Sequence, residues 1–493
     1  MLKRILKKTA IFIVVLALTS TILYLFFGLR LLVRGDGSVS LGFVRSAEAQ
    51  ADEIERHRAA QRAASPAPVP APTLPAAVVS DATNPVNPVS ATRPAGTTVV
   101  GDPRAYWTDF RGPARDGRYQ QMPILTTWPA GGLKPLWKQP VGGGYASFVV
   151  AHGRAFTIEQ RRSKEVVAAY DVATGRELWT HSWDGLFQEI MGGDGPRATP
   201  TWFDGRVYAL GAQGELQCLE DDTGRMLWRK NILEDTGAEN LQWGMSGAPL
   251  IVDDAVIVQP GGPNGKSIAA YDRRTGERLW ASESDQQAYS SPMLLTLADT
   301  RQVVVLTATR LFGLTPGKGE LLWQFPWVTQ MGINASQPLL VGNSRLFVSS
   351  SYGMGAALIE ITRDKNTFGV REIWRNNRMK NRFTSSVLHE GFIYGLDEAI
   401  LTCIEAATGD VKWKGGRYGY GQIVLASGHI IVLSEDGGLA LVRATPAKHD
   451  ELARFPALEG KTWNHPALAD GYLLVRNLQE MAAFDLRPKA GIR

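Results

Sequence analysis

Short runs of β-branched, aromatic and aliphatic residues alternate along this chain with turn residues. Residues 198–232 contain four such runs, at about 198–203, 206–212, 215–221 and 226–232. The intervals between them hold Asp204-Gly205, Gln213-Gly214 and Asp222-Thr223-Gly224. Asp-Gly pairs favour tight hairpins because both central positions accept positive φ. The pattern therefore predicts a unit of four antiparallel strands, which we name A to D.

One phrase recurs at the end of these units. Its copies are YDVATGRELW (170–179), LEDDTGRMLW (219–228), YDRRTGERLW (271–280), LTPGKGELLW (314–323) and IEAATGDVKW (404–413). With a weaker copy that ends at Trp374, the tryptophans lie 39 to 52 residues apart. A period of this length with strand-like flanks is typical of a β-propeller. We expect the tryptophan of each copy to pack between neighbouring blades rather than to bind a ligand.

The chain contains eight such units. They begin near Phe148, Ala198, Gly247, Ser291, Ser336, Thr384, Gly421 and Asn464. The last unit lacks a strand D, whereas 133–141, with Trp137, is a D-type strand that precedes the first strand A. The sequence therefore predicts an all-β fold over 104–493: an eight-bladed β-propeller of four-stranded antiparallel blades. The N-terminal strand would close the ring and remove a free sheet edge.

The positions of the two cysteines agree with this alignment of the eight units. Cys218 and Cys403 each lie six residues before the glycine of their turn phrase, in units two and six. Equivalent positions four blades apart face each other across the ring, farther apart than the ~7 Å between Cα atoms that a disulfide allows. Both are predicted to be buried free thiols.

The N-terminal region has a different character. Residues 9–29 contain no charge and form a run as long as a bilayer core is thick. Lys3, Arg4, Lys7 and Lys8 precede the run, which favours a cytoplasmic N-terminus. We therefore predict one transmembrane helix within 1–34, a single-pass inner-membrane location and a periplasmic propeller. The alternative is a cleaved signal peptide with Ala47-Glu48-Ala49 at the cleavage site.

Residues 35–103 are predicted to form an Ala/Pro-rich disordered linker. Nine prolines occur within 65–103, a composition typical of a semi-extended spacer. Within this range, 46–64 could form a short polar helix.

The charge distribution argues against a nucleic-acid partner. The net charge of +5 resides in residues 1–100, which carry eleven Lys/Arg and six Asp/Glu. The remaining 42 Lys/Arg and 42 Asp/Glu cancel, so the propeller offers no basic footprint. The seven histidines show no metal-ligand spacing, and we predict no metal site from them.

Candidate functional residues come from one face of the ring. The D–A connections and the B–C turns share this face, and the last residues of the connections point toward the central channel. These residues form a predicted funnel: Tyr145, Arg197, Trp243 (with Met245), Tyr289, Asn334, Arg382, Tyr420, Trp463 and His465. They would either sandwich a planar anionic ligand or grip a peptide. The alternative is that they fill a narrowing channel and hydrogen-bond to one another.

The repeats resemble a known family. AYDVATGRELW and its copies are similar to the pyrroloquinoline-quinone (PQQ) enzyme repeat of quinoprotein alcohol dehydrogenases and of the outer-membrane protein assembly factor propeller. The segments 106–117 (YWTDFRGPARDG), 195–224 and 288–292 also resemble bacterial PQQ-like repeat proteins. The resemblance covers about 101–487 and implies an eight-bladed propeller.

Two functions from different classes follow from the resemblance. We expect a membrane-anchored, monomeric scaffold without enzymatic activity or cofactor, which binds envelope proteins or peptides in cell-envelope protein assembly. The alternative is a PQQ-dependent oxidoreductase of alcohols or sugars. PQQ would then stack on Trp243 or Trp463, with Arg382 or Arg197 on its carboxylates and Asn334 near a calcium ion.

One departure from the dehydrogenases favours the scaffold. Those enzymes typically carry adjacent cysteines in a disulfide against the cofactor, and this chain has no adjacent cysteines. A third hypothesis, a polysaccharide-binding module, would also use exposed tryptophan and tyrosine side chains.

Overall fold

A ring of eight antiparallel sheets forms the body of the protein. The computed structural model describes residues 15, 18–19, 21–23, 29–43, 45–64 and 106–488. The innermost strands of most neighbouring blades contact each other, and those of the first and eighth blades also meet. The predicted eight-bladed propeller of four-stranded blades is therefore confirmed.

Each blade runs from strand A at the channel to strand D at the rim. Blade one comprises Val149–Ala151, Arg154–Arg161, Lys164–Asp171 and Glu177–Asp184, and blade two comprises Thr201–Phe203, Arg206–Leu210, Glu215–Glu220 and Met226–Asn231. Blade three comprises Leu250–Val252, Ala255–Val258, Ile268–Asp272 and Arg278–Ser282, and blade four comprises Met293–Leu297, Thr300–Leu306, Arg310–Leu314 and Leu321–Pro326. Blade five comprises Leu339–Val341, Arg345–Ser350, Gly355–Asp364 and Thr367–Asn376, and blade six comprises Val387–His389, Phe392–Asp397, Ile400–Glu405 and Val411–Arg417. Blade seven comprises Gln422–Ala426, His429–Leu433, Gly438–Arg443 and Glu451–Pro456, and blade eight comprises Ala467–Ala469, Tyr472–Arg476, Glu480–Asp485 and Trp137–Pro140.

The eighth blade joins the two ends of the propeller. Its outer strand, Trp137–Pro140, pairs antiparallel with Glu480–Asp485, so that Trp137 lies opposite Ala483. This pairing confirms the predicted closure by an N-terminal strand. It also gives the last blade the same four strands as the others.

The repeated tryptophan joins each blade to the next. Trp179 donates its indole N–H to Asp221 O of the following blade (2.8 Å), and its ring lies against Gly224. Three other tryptophans make the same two contacts with the next blade. Each ring lies against a glycine, and each indole N–H donates to the carbonyl group three residues before that glycine, in the pairs Trp137/Gly175, Trp228/Gly276 and Trp374/Gly409. The predicted packing between blades is therefore confirmed. The glycine has positive φ and no Cβ, and the ring occupies the space that a Cβ would fill.

The contact changes where the sequence departs from the repeat. Blade five has an extended C–D hairpin, Gly355–Asp364 and Thr367–Asn376, in place of the Thr-Gly turn. The preceding Trp323 instead donates to Gln302 Oε1 within its own blade. In blade seven, Phe455 replaces the tryptophan and packs against the ring of Phe484 in blade eight.

The two cysteines occupy equivalent positions opposite a tyrosine. Cys218 pairs in register with Tyr208, and Cys403 pairs with Tyr394. Both thiols are free and buried, as predicted. Burial raises the pKa of each to about 11, so neither thiol is ionised at neutral pH.

Two N-terminal elements precede the propeller. The strands Leu29–Val33 and Val39–Phe43 form an antiparallel hairpin, and a helix follows over Ala47–Ala64. This helix agrees with the polar helix predicted for 46–64. The predicted disordered linker began at residue 35, but over 35–43 and 47–64 the structure shows a hairpin and a helix. Residues 65–105 lie outside the described part of the chain. Two short helices occur later, the α-helix Ile232–Thr236 and the 3₁₀ helix Gln330–Gly332.

The helix Ala47–Ala64 lies in the groove between blades eight and one. Its Arg58 is 2% exposed and donates to Gln139 Oε1 and Pro140 O, both at 3.0 Å. Gln50 donates to Val141 O and to Leu478 O, both at 2.6 Å. The helix therefore covers the seam where the ring closes.

The predicted membrane span stays a prediction. Within the described residues, no helix combines the length and the apolar character needed to cross a bilayer. Most of 9–29 is outside those residues. Leu29, its last residue, belongs to the hairpin.

Gly224→Ala should destabilise the propeller more than Gly205→Ala. Both glycines have φ near +70°, so both substitutions incur about 1–2 kcal/mol of backbone strain. A Cβ at Gly224 would also lie 2.8 Å from Trp179 Cδ2, whereas no atom lies within 4 Å at Gly205. Overpacking against the ring should add about 1–3 kcal/mol to the loss in free energy of unfolding at Gly224. Urea denaturation of both variants measures this difference; equal losses would contradict the assigned role of the ring.

Candidate functional site

The predicted funnel contains a row of aromatic rings. The rings of Tyr145 and Trp463 stack with centroids 5.3 Å apart, and Phe383 lies 4.6 Å from Trp463. Tyr420 continues the row at 5.7 Å from Phe383. These rings come from the entrances to blades one, eight, six and seven. Side chains from distant parts of the chain therefore meet in van der Waals contact.

Arg197 is held by its own loop. It donates to Gly195 O at 2.7 Å and to Gly193 O at 2.8 Å. Its guanidinium also lies over the rings of Phe187 and Tyr145, at 4.9 and 5.4 Å from their centroids. Burial lowers the pKa of Arg197. Its hydrogen bonds fix the connection between blades one and two across the funnel.

Arg382 occupies the same position at the entrance to blade six. It lies over the rings of Tyr352 and Tyr420, at 5.0 and 5.2 Å, and is 3.9 Å from Glu398. Tyr420 donates its hydroxyl to Glu398 at 3.1 Å. These residues form a closed group in which the positive charge meets two rings and a carboxylate.

Trp243 and Tyr289 form a separate pair on another side of the ring. Their ring centroids are 5.7 Å apart. Burial raises the pKa of Tyr289 to about 12, so its hydroxyl is neutral at physiological pH. Met245 is buried in the core of blades two and three and does not line the funnel.

Asn334 and His465 belong to the framework below the funnel. Asn334 is fully buried and donates to Thr307 O, Ala308 O and Trp327 O. His465 is also buried, with Nε2 3.1 Å from Ile423 O, and burial lowers its pKa to about 3. The structure does not bring these two predicted residues to the aromatic row, because backbone carbonyls of neighbouring blades hold both side chains.

Two charged residues in the funnel were missed by the sequence analysis. Glu435 accepts hydrogen bonds from Trp463 Nε1 (3.0 Å) and from Tyr420 N (3.2 Å). Lys461 lies over the Trp463 ring at 4.2 Å and donates to Gly192 O at 2.9 Å. Burial, and then the neighbouring Arg197, lower the pKa of Lys461 to about 8. Glu435 lies in a B–C turn, and the turns of this face were the signal that could have identified it.

A buried segment forms the floor of the funnel. Trp107 bridges to Val150, Thr108 O accepts from Trp202 N (2.8 Å), and Arg118–Tyr119 pairs parallel with Gln422–Ala426. These partners are strands A of blades one, two and seven. The segment 106–119 therefore runs inside the channel, and we refer to it as the plug.

Two arginines anchor the plug to further blades. Arg111 donates to Ser386 O (2.8 Å) ahead of blade six. Arg115 donates to Ala248 O, to Pro249 O and to Pro292 O (2.8 Å), ahead of blades three and four, and pairs with Asp109 at 2.9 Å. Both arginines are buried, and burial lowers the pKa of each. The carbonyl groups replace the water that these charges lose on burial.

The rim of the funnel presents apolar side chains to solvent. Ile190 is 84% exposed in the connection between blades one and two, and Met331 is 80% exposed in the connection between blades four and five. Both connections belong to the funnel: Lys461 donates to Gly192 O, and Gln330 N donates to Tyr352 O. These are the two most exposed large apolar side chains in the described part of the chain.

The donor set of the funnel does not fit a calcium ion with a quinone. Among the described residues, no three His, Cys, Asp or Glu side chains are grouped so as to hold a metal ion. Asn334, the predicted calcium neighbour, is committed to carbonyl groups. The ring of Trp463, one predicted stacking partner of the quinone, is already in contact with Tyr145, Phe383 and Lys461.

The sequence model of the family described as "Outer membrane protein assembly factor BamB" matches residues 163–415, about half of the chain. The chain belongs to this family. It is 22% identical over 311 residues to the outer membrane protein assembly factor BamB of Bordetella pertussis, covering 61% of this chain and 72% of that protein. The family of PQQ-like propellers inferred from the repeats is therefore confirmed.

Solved structures show the same fold. BamB from Moraxella catarrhalis superposes with a TM-score of 0.52 at 15% identity, covering 73% of this chain and 99% of that chain. A quinohemoprotein alcohol dehydrogenase from Comamonas testosteroni gives a TM-score of 0.55 at 14% identity, covering 80% and 82%. Identities this low establish a shared propeller fold and nothing further about activity.

Arg115→Met should destabilise the propeller strongly. The change leaves the carbonyl groups of three residues and the Asp109 carboxylate without their buried partner, at a cost of about 3–5 kcal/mol. Arg176→Met, at an exposed position in a C–D turn, is the control and should change the free energy of unfolding by less than about 0.5 kcal/mol. Chemical denaturation measures both; a loss of similar size in the two variants would show that the plug is not structural.

Proposed function

We propose that this protein is a propeller scaffold that binds other envelope proteins through its funnel face during outer-membrane protein assembly. The observation that carries the proposal is the match to the BamB family over 163–415. The relative from Bordetella pertussis is named an outer membrane protein assembly factor.

The surface of the funnel face supports a binding role. The apolar side chains of Ile190 and Met331 are exposed on connections that the funnel residues hold in place. Arg197 and Arg382 stiffen this face through hydrogen bonds and ring contacts. A partner would therefore meet preformed connections and would lose little free energy in ordering them.

The alternative PQQ-dependent oxidoreductase is less well supported. We retain it as a hypothesis because a quinohemoprotein alcohol dehydrogenase is similar to this chain in sequence and in structure. Against it, the funnel side chains bind each other and the donor set does not fit calcium with a quinone. We therefore propose a protein without enzymatic activity, whose partners are polypeptides.

The location forms part of the same proposal. A role in outer-membrane protein assembly requires a periplasmic, envelope-associated propeller. We propose that residues 9–29 hold a monomeric propeller at the inner membrane by a single pass, on the basis of their uncharged sequence and the lysines and arginine that precede them.

Photo-crosslinking in intact cells should identify the binding face. A benzophenone amino acid in place of Ile190 or Met331 should crosslink to a component of the outer-membrane assembly machinery. The control is the same group in place of Leu279, which is 51% exposed but lies next to a C–D turn on the opposite face. Crosslinks of equal yield from Leu279, or none to an assembly component from the funnel face, would contradict the proposal.

Titration with PQQ separates the two functions. We expect no saturable quenching of tryptophan fluorescence and no rise in Tm at high micromolar PQQ, with or without calcium, because the rings of Trp463 and Tyr145 already contact other rings. A calcium-dependent rise in Tm, absent in Trp463→Leu, would instead support the oxidoreductase.

A further inference from the structure

The N-terminal hairpin reaches the mouth of the funnel through its turn. The turn 34–38 connects Leu29–Val33 to Val39–Phe43 and is closed by Arg34 N to Ser38 O and by Gly37 N to Arg34 O, both at 2.9 Å. Gly35, within this turn, donates its N–H to Glu435 Oε1 at 2.7 Å. Gly35 is buried, whereas Arg34, Asp36 and Gly37 are exposed. The propeller therefore encloses Gly35 and binds it by a hydrogen bond.

The space beside Tyr420 has no room for a Cβ atom at position 35. A Cβ at Gly35 would lie 2.7 Å from Tyr420 Cβ and closer still to the Tyr420 ring. The backbone of Gly35 is not in the positive-φ region, in contrast to Gly37. Gly35 is therefore required for close approach to Tyr420 and not for the conformation of the turn itself.

Other funnel residues hold the receptor side of the contact. Glu435 accepts from Trp463 Nε1 and from Tyr420 N, and these two bonds orient its carboxylate. The Tyr420 hydroxyl is tied to Glu398 at 3.1 Å. A charged acceptor beside a fixed ring can bind the N–H of a glycine strongly, since hydrogen bonds to charged groups exceed those between neutral groups.

Two apolar side chains of the hairpin face solvent. Val39 and Leu41 are large apolar side chains on its second strand, and both are exposed. These two side chains gain little from burial, so they add little to the attachment that the turn provides. Such a contact can exchange with an equivalent one from another polypeptide.

We propose that Glu435 and Tyr420 form a binding site for the glycine turn of a β-hairpin, and that the turn 34–38 occupies this site in cis. A partner that presents an exposed glycine turn displaces the protein's own hairpin from the funnel. The partner class is a polypeptide that forms β-hairpins. This inference deepens the proposed function and rests on it only in the assumption that such partners approach the funnel face.

Electron-spin distance measurements on the full chain test the occupied state. A thioether-linked nitroxide at Ser40→Cys reports on the hairpin, and a second at Ser163→Cys, in an exposed B–C turn of blade one, reports on the funnel face. Cys218 and Cys403 are buried with pKa values of about 11, so they remain unlabelled. The docked hairpin should give one narrow distance distribution.

Variants on both sides of the contact should release the hairpin. Gly35→Val should lower the docked fraction at least about tenfold, the change in equilibrium that corresponds to 1.4 kcal/mol. Arg34→Ala, at the neighbouring exposed position, is the matched control and should leave the distribution unchanged. Glu435→Gln keeps the hairpin sequence intact and should lower the docked fraction severalfold. An unchanged distribution in Gly35→Val would overturn the proposal.

A peptide in trans tests the exchange. The probe is a backbone-cyclised peptide with the sequence of residues 29–43, and its control carries valine at the position of Gly35. The first peptide should broaden the distance distribution in a saturable manner, and the control should not. Equal effects of the two peptides, or none from either, would overturn the proposed turn site. Because no cellular partner is involved, this outcome is independent of the crosslinking result, which tests the scaffold function.

Discussion

The contact between a tryptophan of one blade and a glycine turn of the next holds the propeller together. Trp179 on Gly224, and its counterparts Trp137, Trp228 and Trp374, combine a large ring that is at least partly buried with an indole hydrogen bond to a carbonyl group. Each element of the repeated phrase has a part in this contact: Thr-Gly shapes the turn, glycine makes room, and tryptophan fills it. The recurrence of the phrase is therefore a requirement of packing, and it carries no information about a ligand.

The N-terminal part of the chain supplies the strand, the cover and the plug that the repeats lack. A ring of blades has a seam, a channel and a funnel mouth. Trp137–Pro140 supplies the missing strand, and the helix Ala47–Ala64 covers the seam with Arg58 inserted in the groove. The plug fills the channel, and its Arg111 and Arg115 donate hydrogen bonds to carbonyl groups just ahead of strands A. These elements link the ends of the chain to almost every blade.

The arginines and aromatic rings of the funnel mostly contact one another. Its arginines and aromatic rings satisfy each other, so the residue types that suggested a ligand pocket serve to stiffen the face instead. The side chains of Ile190 and Met331 on the rim remain exposed to solvent. A rigid frame with a few exposed anchors suits recognition of polypeptides, because little order has to be created on binding.

The sequence alone determined the architecture. Runs of strand residues, turn pairs and one tryptophan per copy predicted eight blades, and the strand around Trp137 predicted the closure, because these features depend on neighbours within a few residues or on exact repetition. Cys218 and Cys403 could likewise be assigned as buried free thiols from their equivalent positions. The same reasoning identified most of the residues in the funnel, since the face of each connection follows from strand order.

Only the tertiary structure decided what those residues do. Asn334 and His465 look like funnel residues in sequence, but carbonyl groups from other blades hold them below it. Glu435, Lys461 and Phe383 come from a B–C turn and two D–A connections of the predicted face, but which side chains of these segments meet is decided only in the assembled ring. The plug and the placement of Gly35 on Tyr420 depend on contacts between residues hundreds of positions apart, as in the bond from Gly35 to Glu435. Local periodicity fixes elements and their order, whereas a contact across the ring exists only once all blades are in place.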